Sequence, residues 1–287
     1  IPSSPGHYVE FPGSPSQTTC LPGSYQDSEG MGSCMPCPVG LHSPNSGASS
    51  SDGCTDSAPG FYFDGESIEC PIGSFQPLAN QSECNPAEPG HYVDSVASPS
   101  QISCDIGSYN SDSRSKSLEA CTPASPGFYV SLPGQANQSP CPSGTFNPLP
   151  SSNSSDACFL TDPGHFTSSP GASSQTPCPI GEFQPLPGQS YCNNAMPGYY
   201  VDSNSSTVQM PCPPGTYNPQ NSSSGLSSCL DSEKGHFVQL EGSSSQSECP
   251  RGTYQPQTNS VSCISASPGN FVAENASIES VKCPIGQ

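Results

Sequence analysis

Cys20-Leu-Pro-Gly-Ser-Tyr-Gln26 is the first copy of the motif that decides the fold of this chain. The general form is Cys-x-x-Gly-[Ser/Thr]-[Tyr/Phe]-[Asn/Gln], often followed by proline. Further copies begin at Cys70, Cys104, Cys141, Cys212 and Cys249, and a variant that contains Glu182 begins at Cys178. From Cys84 onward, successive cysteines are 14, 17 or 20 residues apart. This regularity predicts one small module copied many times.

A second motif, Pro-Gly-[His/Phe/Tyr]-[Tyr/Phe]-Val, alternates with the first. It occurs at Pro89–Val93, Pro126–Val130 and Pro197–Val201, with variants that start at Pro163, Lys234 and Pro268. The glycines of both motifs form one lattice, with steps of 17 or 20 residues from Gly127 to Gly269. We therefore interpret the motifs as two versions of one half-repeat and name them A and B half-repeats. An aromatic residue follows most lattice glycines, which predicts a ladder of rings packing between modules.

The expected fold class is small disulfide-rich β. It is an elongated tandem array of short β-hairpin or turn modules of about 17 residues, two per repeat of 34–37 residues, without helices of note. The 36 prolines and 28 glycines exclude long helices and favour turns. Irregular repeats are expected over 1–69, followed by repeats at 70–103, 104–140, 141–177, 178–211, 212–248 and 249–282, with 283–287 beginning another.

The composition indicates an oxidising compartment. Hydrophobic residues make up only 31% of the chain and the net charge is −19, values that on their own are typical of disordered chains. The 17 cysteines reverse that interpretation, because small modules without a large core are held by disulfides outside the cytosol. We therefore expect an extracellular or cell-surface protein.

The same composition excludes several classes of function. Five Lys and Arg residues are too few for binding nucleic acid through its phosphates, and no apolar run approaches the ~18 residues of a membrane span. The scattered acidic residues indicate a solvated surface. Four of the five histidines occupy a slot that Phe and Tyr share, so we interpret them as packing residues. We expect no metal, cofactor or catalytic site, and hence no enzyme.

Cysteines that are missing indicate how the remaining ones pair. In B half-repeats the place of a cysteine is taken by Ala87, Ala124, Thr161, Ala195, Ser232 and Ala266. Fourteen residues after these lie Gln101, Gln138, Gln175, Gln209, Gln246 and Ser280, so both members of one disulfide are absent together. This favours the pairs Cys20–Cys34, Cys37–Cys54, Cys70–Cys84, Cys104–Cys121, Cys141–Cys158, Cys178–Cys192, Cys212–Cys229 and Cys249–Cys263. The rival scheme bridges the 20-residue gaps, for example Cys84–Cys104.

In the favoured scheme Cys283 is left over. We expect its partner 14–17 residues further along a longer secreted chain of which this sequence is an interior part. An intermolecular disulfide is the alternative.

The stretch from Cys20 to Gly40 resembles the cysteine-rich repeats of ephrin-receptor ectodomains and, more loosely, the first-loop modules of tumour-necrosis-factor receptors. The resemblance is carried by Cys20-Leu-Pro-Gly-Ser-Tyr-Gln26 and Cys34-Met-Pro-Cys37-Pro-Val-Gly40. It covers the A half-repeats well and the B half-repeats only in their Gly-aromatic core. It implies elongated rods of short β-hairpins, each loop being closed by a local disulfide.

Six Asn-x-Ser sequons predict covalent glycans. They begin at Asn80, Asn137, Asn153, Asn204, Asn221 and Asn275. Three fall inside A half-repeats and three inside B half-repeats, so the glycans are expected to line defined faces of the array.

The expected function is structural. An array grows by adding copies without redesigning a core, which suits a glycosylated extracellular rod or fibril such as a surface hair, a filament or a cell coat. Its expected partners are further copies in a filament, or a continuation of the same array. One alternative is a spacer or stalk in the ectodomain of a receptor or adhesin. Another is a soluble binding protein that uses its rings to hold glycans.

Overall fold

The computed structural model describes residues 2–38, 41–64 and 67–284. In these ranges the secondary structure consists of strands of two or three residues and four short 3₁₀ helices, with no α-helix. Among the described residues, consecutive strands pair into sixteen two-stranded sheets, and none of these sheets includes a third strand. The expectation of a small disulfide-rich β fold built from tandem hairpins is confirmed.

The sixteen hairpins follow the chain order. The first eight pair β1 (His7–Tyr8) with β2 (Thr18–Thr19), β3 (Ser24–Tyr25) with β4 (Met35–Pro36), β5 (Leu41–His42) with β6 (Thr55–Asp56), β7 (Phe61–Phe63) with β8 (Ser67–Glu69), β9 (Ser74–Phe75) with β10 (Asn85–Pro86), β11 (His91–Tyr92) with β12 (Ile102–Ser103), β13 (Ser108–Tyr109) with β14 (Thr122–Pro123), and β15 (Phe128–Tyr129) with β16 (Ser139–Pro140). The others pair β17 (Thr145–Phe146) with β18 (Phe159–Leu160), β19 (His165–Phe166) with β20 (Thr176–Pro177), β21 (Glu182–Phe183) with β22 (Asn193–Asn194), β23 (Tyr199–Tyr200) with β24 (Met210–Pro211), β25 (Thr216–Tyr217) with β26 (Leu230–Asp231), β27 (His236–Phe237) with β28 (Ser247–Glu248), β29 (Thr253–Tyr254) with β30 (Ile264–Ser265), and β31 (Asn270–Phe271) with β32 (Val281–Lys282).

Each hairpin grows from the local sequence of one half-repeat. The first strand begins directly after a lattice glycine, where Ser, Thr and aromatic residues favour extended backbone. The second strand ends one residue before the next cysteine or its replacement. In the B half-repeat at Gly235, for example, His236 pairs with Glu248 and Phe237 pairs with Ser247 in antiparallel register.

Two left-handed residues, seven positions apart, shape most half-repeats; the half-repeat at Gly60 is an exception, because Ser67 begins a strand there. The first is the lattice glycine, such as Gly198 at φ 89°. The second is seven residues later and can be another residue type, such as Ser205 at φ 57°. We call these the first and second left-handed positions. The second is filled by a residue other than glycine at Asn80, Ala97, Arg114, Ser151, Ser205, Ser222, Asn259 and Ala276.

The buried residues form a thin line rather than a wide core. In B half-repeats the valine three residues after the lattice glycine is almost fully buried, as at Val93, Val130 and Val201 (each 1% exposed). In seven of the eight A half-repeats the same position holds a buried amide, such as Gln26 or Asn218, and in the other it holds the buried Ser43. The cysteine, or the small residue that replaces it, is also buried. The modules therefore depend on small and polar contacts more than on apolar volume.

The chain forms two compact units. One comprises Ile1–Ser125, Tyr129–Ser139 and Pro150–Ser155, and the other comprises Pro126–Phe128, Pro140–Leu149 and Asp156–Gln287. Each unit contains both A and B half-repeats.

Candidate functional site

Eight disulfides close the A half-repeats, with Cα atoms 5.5–5.8 Å apart. The bonded pairs are Cys20–Cys34, Cys37–Cys54, Cys70–Cys84, Cys104–Cys121, Cys141–Cys158, Cys178–Cys192, Cys212–Cys229 and Cys249–Cys263. Cys84 thus pairs backward with Cys70 and not across the gap with Cys104. Each bond encloses a sequence separation of 14 or 17 residues.

The three extra residues of the longer loops form a 3₁₀ turn. Such a turn precedes the second cysteine in all four loops of 17 residues, at Ser51–Gly53, Leu118–Ala120, Ser155–Ala157 and Leu226–Ser228. At Cys229 the amide donates back to the Leu226 carbonyl, 3.0 Å away. The turn absorbs the extra length, so both kinds of loop bring their cysteines to the same separation.

The amide that ends the A motif differs between the two loop lengths. In loops of 14 residues it is a glutamine whose side-chain NH₂ crosses the loop, as Gln184 does to the Tyr191 carbonyl at 2.9 Å. In three of the loops of 17 residues it is an asparagine. Asn218 instead donates backward to the Tyr199 carbonyl at 3.0 Å and across to Ser223 Oγ at 2.8 Å. Glutamine at this position therefore indicates a loop of 14 residues and asparagine a loop of 17 residues. This difference is present in the sequence.

A glutamine closes B half-repeats where the disulfide is absent. The side-chain oxygen of Gln209 accepts a hydrogen bond from the backbone N–H of Met196 at 2.8 Å. Met196 directly follows Ala195, the residue that stands in place of a cysteine. The same bond, 2.7–2.9 Å long, is made by Gln17, Gln101, Gln138, Gln175 and Gln246. We call this bond the glutamine staple. The residues that mark the missing cysteines thus have a function of their own.

Backbone hydrogen bonds join each half-repeat to the next one. The amide of Gly198 donates to the Asn218 carbonyl, and Gly215 donates to Val238, both at 2.8 Å. The amide of Val201 donates to the Ser223 carbonyl at 2.9 Å. The donors lie in one half-repeat and the acceptors in the following one. The same bonds recur in both units, so A and B half-repeats belong to one continuous backbone ladder within each unit.

The lattice glycines lie against the main chain two half-repeats further along the sequence, which explains why these positions hold glycine. A Cβ added to Gly181 would lie 2.5 Å from the carbonyl oxygen of Ser222, which occupies a second left-handed position two half-repeats later. Gly198 stands in the same way against the Gly242 carbonyl. The first left-handed position therefore requires glycine for two reasons, its positive φ and the close approach of another main chain.

The aromatic residues pack mainly on backbone. The Phe128 ring lies over Gly171 and the Tyr199 ring over Gly242, since a Cβ at either glycine would come within 3 Å of the ring. Ring-to-ring contact is found in the described part of the chain at Phe146 with Phe159, whose centroids are 6.2 Å apart, and at His42 with Phe63. The expectation of a ladder of rings is not met at Phe128 and Tyr199, because each of these two rings meets a left-handed turn of another half-repeat instead of another ring.

The histidines lie in packing positions. His91 takes the place of a ring against Gly134, and its Nδ1 is 3.2 Å from the Pro89 carbonyl. His42 is buried, and its Nδ1 has no hydrogen-bond partner within the described ranges. No group of three or more His, Cys, Asp or Glu residues arranged to hold a metal ion occurs in residues 2–38, 41–64 and 67–284.

All six sequon asparagines are exposed. Asn204, Asn221 and Asn275 directly precede a second left-handed position, and Asn80 occupies one itself at φ 62°. Asn137 and Asn153 lie in the same stretch between the paired strands. The exposure of these asparagines is compatible with glycosylation, although Asn275 Oδ1 also accepts a hydrogen bond from the backbone N–H of Arg251 at 3.2 Å. Glycosylation itself stays a prediction.

Cys283 is exposed and forms no disulfide within this chain. No helix in the described part of the chain has the length and apolarity needed to cross a membrane.

Comparison with known proteins agrees with the motif. Residues 6–54 match the family described as tyrosine-protein kinase ephrin type A/B receptor-like. A search of curated proteins finds no match for the chain. The matched family is a receptor-like module and not an enzyme class. Together with the eight disulfides in tandem, it suggests an extracellular or secreted repeat region. Over residues 6–54 the chain is thus similar to the cysteine-rich repeats of ephrin-type receptors, as the A motif predicts.

Proposed function

We propose that this chain is an extracellular structural protein whose tandem modules build a glycosylated rod or fibril, such as a surface hair, a filament or a cell coat. The observation that carries the proposal is the backbone ladder. Within each unit, the amide of a lattice glycine such as Gly198 bonds to the next half-repeat, while the glycine itself packs against the one after that. Length can then increase by adding copies, because no copy depends on a distant part of the chain.

The repeats proposed for this array are 70–103, 104–140, 141–177, 178–211, 212–248 and 249–282. Each combines one disulfide-closed A half-repeat with one B half-repeat. The covalent loop limits the conformational entropy of the unfolded module, and the bonds to the next half-repeat order the rest. A module with so little apolar core therefore gains stability from its neighbours, which favours long arrays over isolated modules.

Exposed apolar side chains support association between copies. Leu132, Leu186 and Leu240 each follow a lattice glycine by five residues and are 59–70% exposed. Exposed apolar side chains that recur at the same position of the half-repeat are suited to contact with another array. Glycans at the exposed sequon asparagines would restrict which faces are available for that contact.

The alternative function is a spacer or stalk in the ectodomain of a receptor or adhesin. The match of residues 6–54 to a receptor-like module favours it. In that case the repeats hold a binding domain at a distance, and the array does not polymerise.

Electron microscopy of the native material distinguishes the two functions. Filaments with a spacing commensurate with the module are the expected result and would exclude the stalk. Separate monomers at the concentration found in the source would refute the fibril.

A further inference from the structure

Tension along this chain would pass through two different kinds of link. In the second unit, Cys178 is bonded to Cys192, and Cys212 to Cys229. Their Cα atoms lie only 5.8 and 5.6 Å apart, although sequence separations of 14 and 17 residues lie between them. A covalent bond carries the load past the residues inside the loop, so these residues bear no tension.

The B half-repeat between Cys192 and Cys212 has no such bond. Its strands Tyr199–Tyr200 and Met210–Pro211 form a two-residue hairpin, and the staple from Gln209 to Met196 closes it. The staple is exposed to solvent, where water replaces a broken hydrogen bond readily. Under load this segment yields while the disulfide loops on either side stay closed.

The same arrangement occurs five times. Segments of 20 residues separate successive disulfides at Cys84–Cys104, Cys121–Cys141, Cys158–Cys178, Cys192–Cys212 and Cys229–Cys249. Each contains one glutamine staple. At roughly 3.5 Å per residue, each segment is about 70 Å long when extended, so its opening lengthens the chain by about 70 Å less the distance that the folded segment already spans.

We propose that the array is an extensible tether with a covalent limit, in which the segments between disulfides open under tension and the disulfide-closed loops do not. The inference rests on the proposed structural function only in that the chain bears load between two points. The four loops of 14 residues and four loops of 17 residues hold back 124 residues in all. At roughly 3.5 Å per residue, and with the 5.5–5.8 Å that each bonded pair still spans subtracted, they shorten the fully extended chain by about 390 Å.

The closed loops also make the extension reversible. Forming a loop costs conformational entropy, and a disulfide that stays intact keeps that cost out of the refolding step. A released B half-repeat lies between two loops whose backbone donors and acceptors remain in place. It therefore refolds from both sides when tension falls.

Single-molecule force spectroscopy on the complete chain, held through terminal peptide tags, tests the proposal. The oxidised chain is expected to lengthen in equal steps, each shorter than about 70 Å by the span of the folded segment, to refold on relaxation, and to reach a limit about 390 Å shorter than the chemically reduced chain. The proposal would be overturned if the oxidised and reduced chains reached the same maximum extension. It would also be overturned if the oxidised chain opened in one event or failed to refold.

Variants of the staple test its part in the load path. Gln209→Ala is expected to lower the opening force of one step without changing its length, and Gln209→Glu, which keeps an acceptor oxygen, to restore the force. The matched control is Gln220→Ala, because exposed Gln220 contributes only its backbone N–H to a hydrogen bond. Equal opening forces in Gln209→Ala and Gln220→Ala would overturn the inference. These outcomes concern single chains, so they are independent of whether microscopy finds filaments.

Discussion

Replacing one lattice glycine with alanine tests how the half-repeats interlock. Gly181 has φ 86°, a conformation that costs an alanine about 1–2 kcal/mol. The added Cβ would also lie 2.5 Å from the Ser222 carbonyl oxygen, so one of the two main chains must move. That movement strains the 2.8 Å bond from the Ser222 amide to the Ala195 carbonyl. With a further 1–3 kcal/mol for crowding, Gly181→Ala is expected to cost roughly 2–5 kcal/mol.

Alanine variants at two other glycines separate the cost of the left-handed conformation from the cost of crowding. Gly252 has φ 84°, but no atom of the described residues lies within 4 Å of an added Cβ, so Gly252→Ala should cost only the conformational part, about 1–2 kcal/mol. Gly188 occupies a second left-handed position. Its added Cβ meets only the exposed side chain of Leu160 at 3.0 Å, and Ala276 is tolerated at an equivalent position. Gly188→Ala should therefore cost about 1 kcal/mol.

The assay is urea unfolding of the complete oxidised chain, followed by the near-ultraviolet circular dichroism of its tyrosines. The three variants should differ in midpoint while keeping similar m values. If Gly181→Ala is no more destabilising than Gly252→Ala, the contact between alternate half-repeats does not exist in solution, and the account of the lattice glycines is refuted.

Three further predictions address the loops and the surface. Gln184→Asn should cost about 1–2 kcal/mol in urea unfolding, because the shorter side chain leaves the Tyr191 carbonyl without its donor; an unchanged midpoint would show that the amide does not span the loop. Replacing both Cys178 and Cys192 with alanine should lower the free energy of unfolding by about 3 kcal/mol. Peptide mapping of the parent chain should recover these two cysteines in one linked pair, and recovery of Cys192 linked to Cys212 would contradict the pairing. Asparagine-to-glutamine changes at the six sequons should each remove one glycan mass from protein secreted by a eukaryotic host, and an unaltered mass would show that the sequon is empty.

The sequence was sufficient to predict the repeat, the hairpins and the fold class, because spacing alone carries that information. Lattice glycines such as Gly127 and Gly144 recur with a cysteine or its replacement at a fixed distance. A module of this size also has few ways to bury a cysteine pair. The 3₁₀ turns were not predicted, since three additional residues in a loop do not specify their own conformation.

The contacts between half-repeats could not be predicted, for physical reasons. The second left-handed position is filled by glycine at Gly171, serine at Ser205 and arginine at Arg114, so no residue type marks it. The glutamines of the staple, such as Gln101 and Gln209, recur at a fixed position in the sequence. That position by itself indicates only that a cysteine is absent. Rings were expected to meet rings because their spacing is regular. Spacing does not reveal which backbone segment lies opposite each ring.

Hydrogen exchange of selectively labelled glycine amides tests the central claim most directly, that A and B half-repeats form one continuous ladder within each unit. The amides of Gly181, in an A half-repeat, and Gly198, in a B half-repeat, both donate to the next half-repeat at 2.8–2.9 Å. The account predicts comparable strong protection for both, while exposed Gly13, which makes no such bond, exchanges rapidly. Protection confined to disulfide-closed half-repeats, with Gly198 exchanging as fast as Gly13, would contradict it.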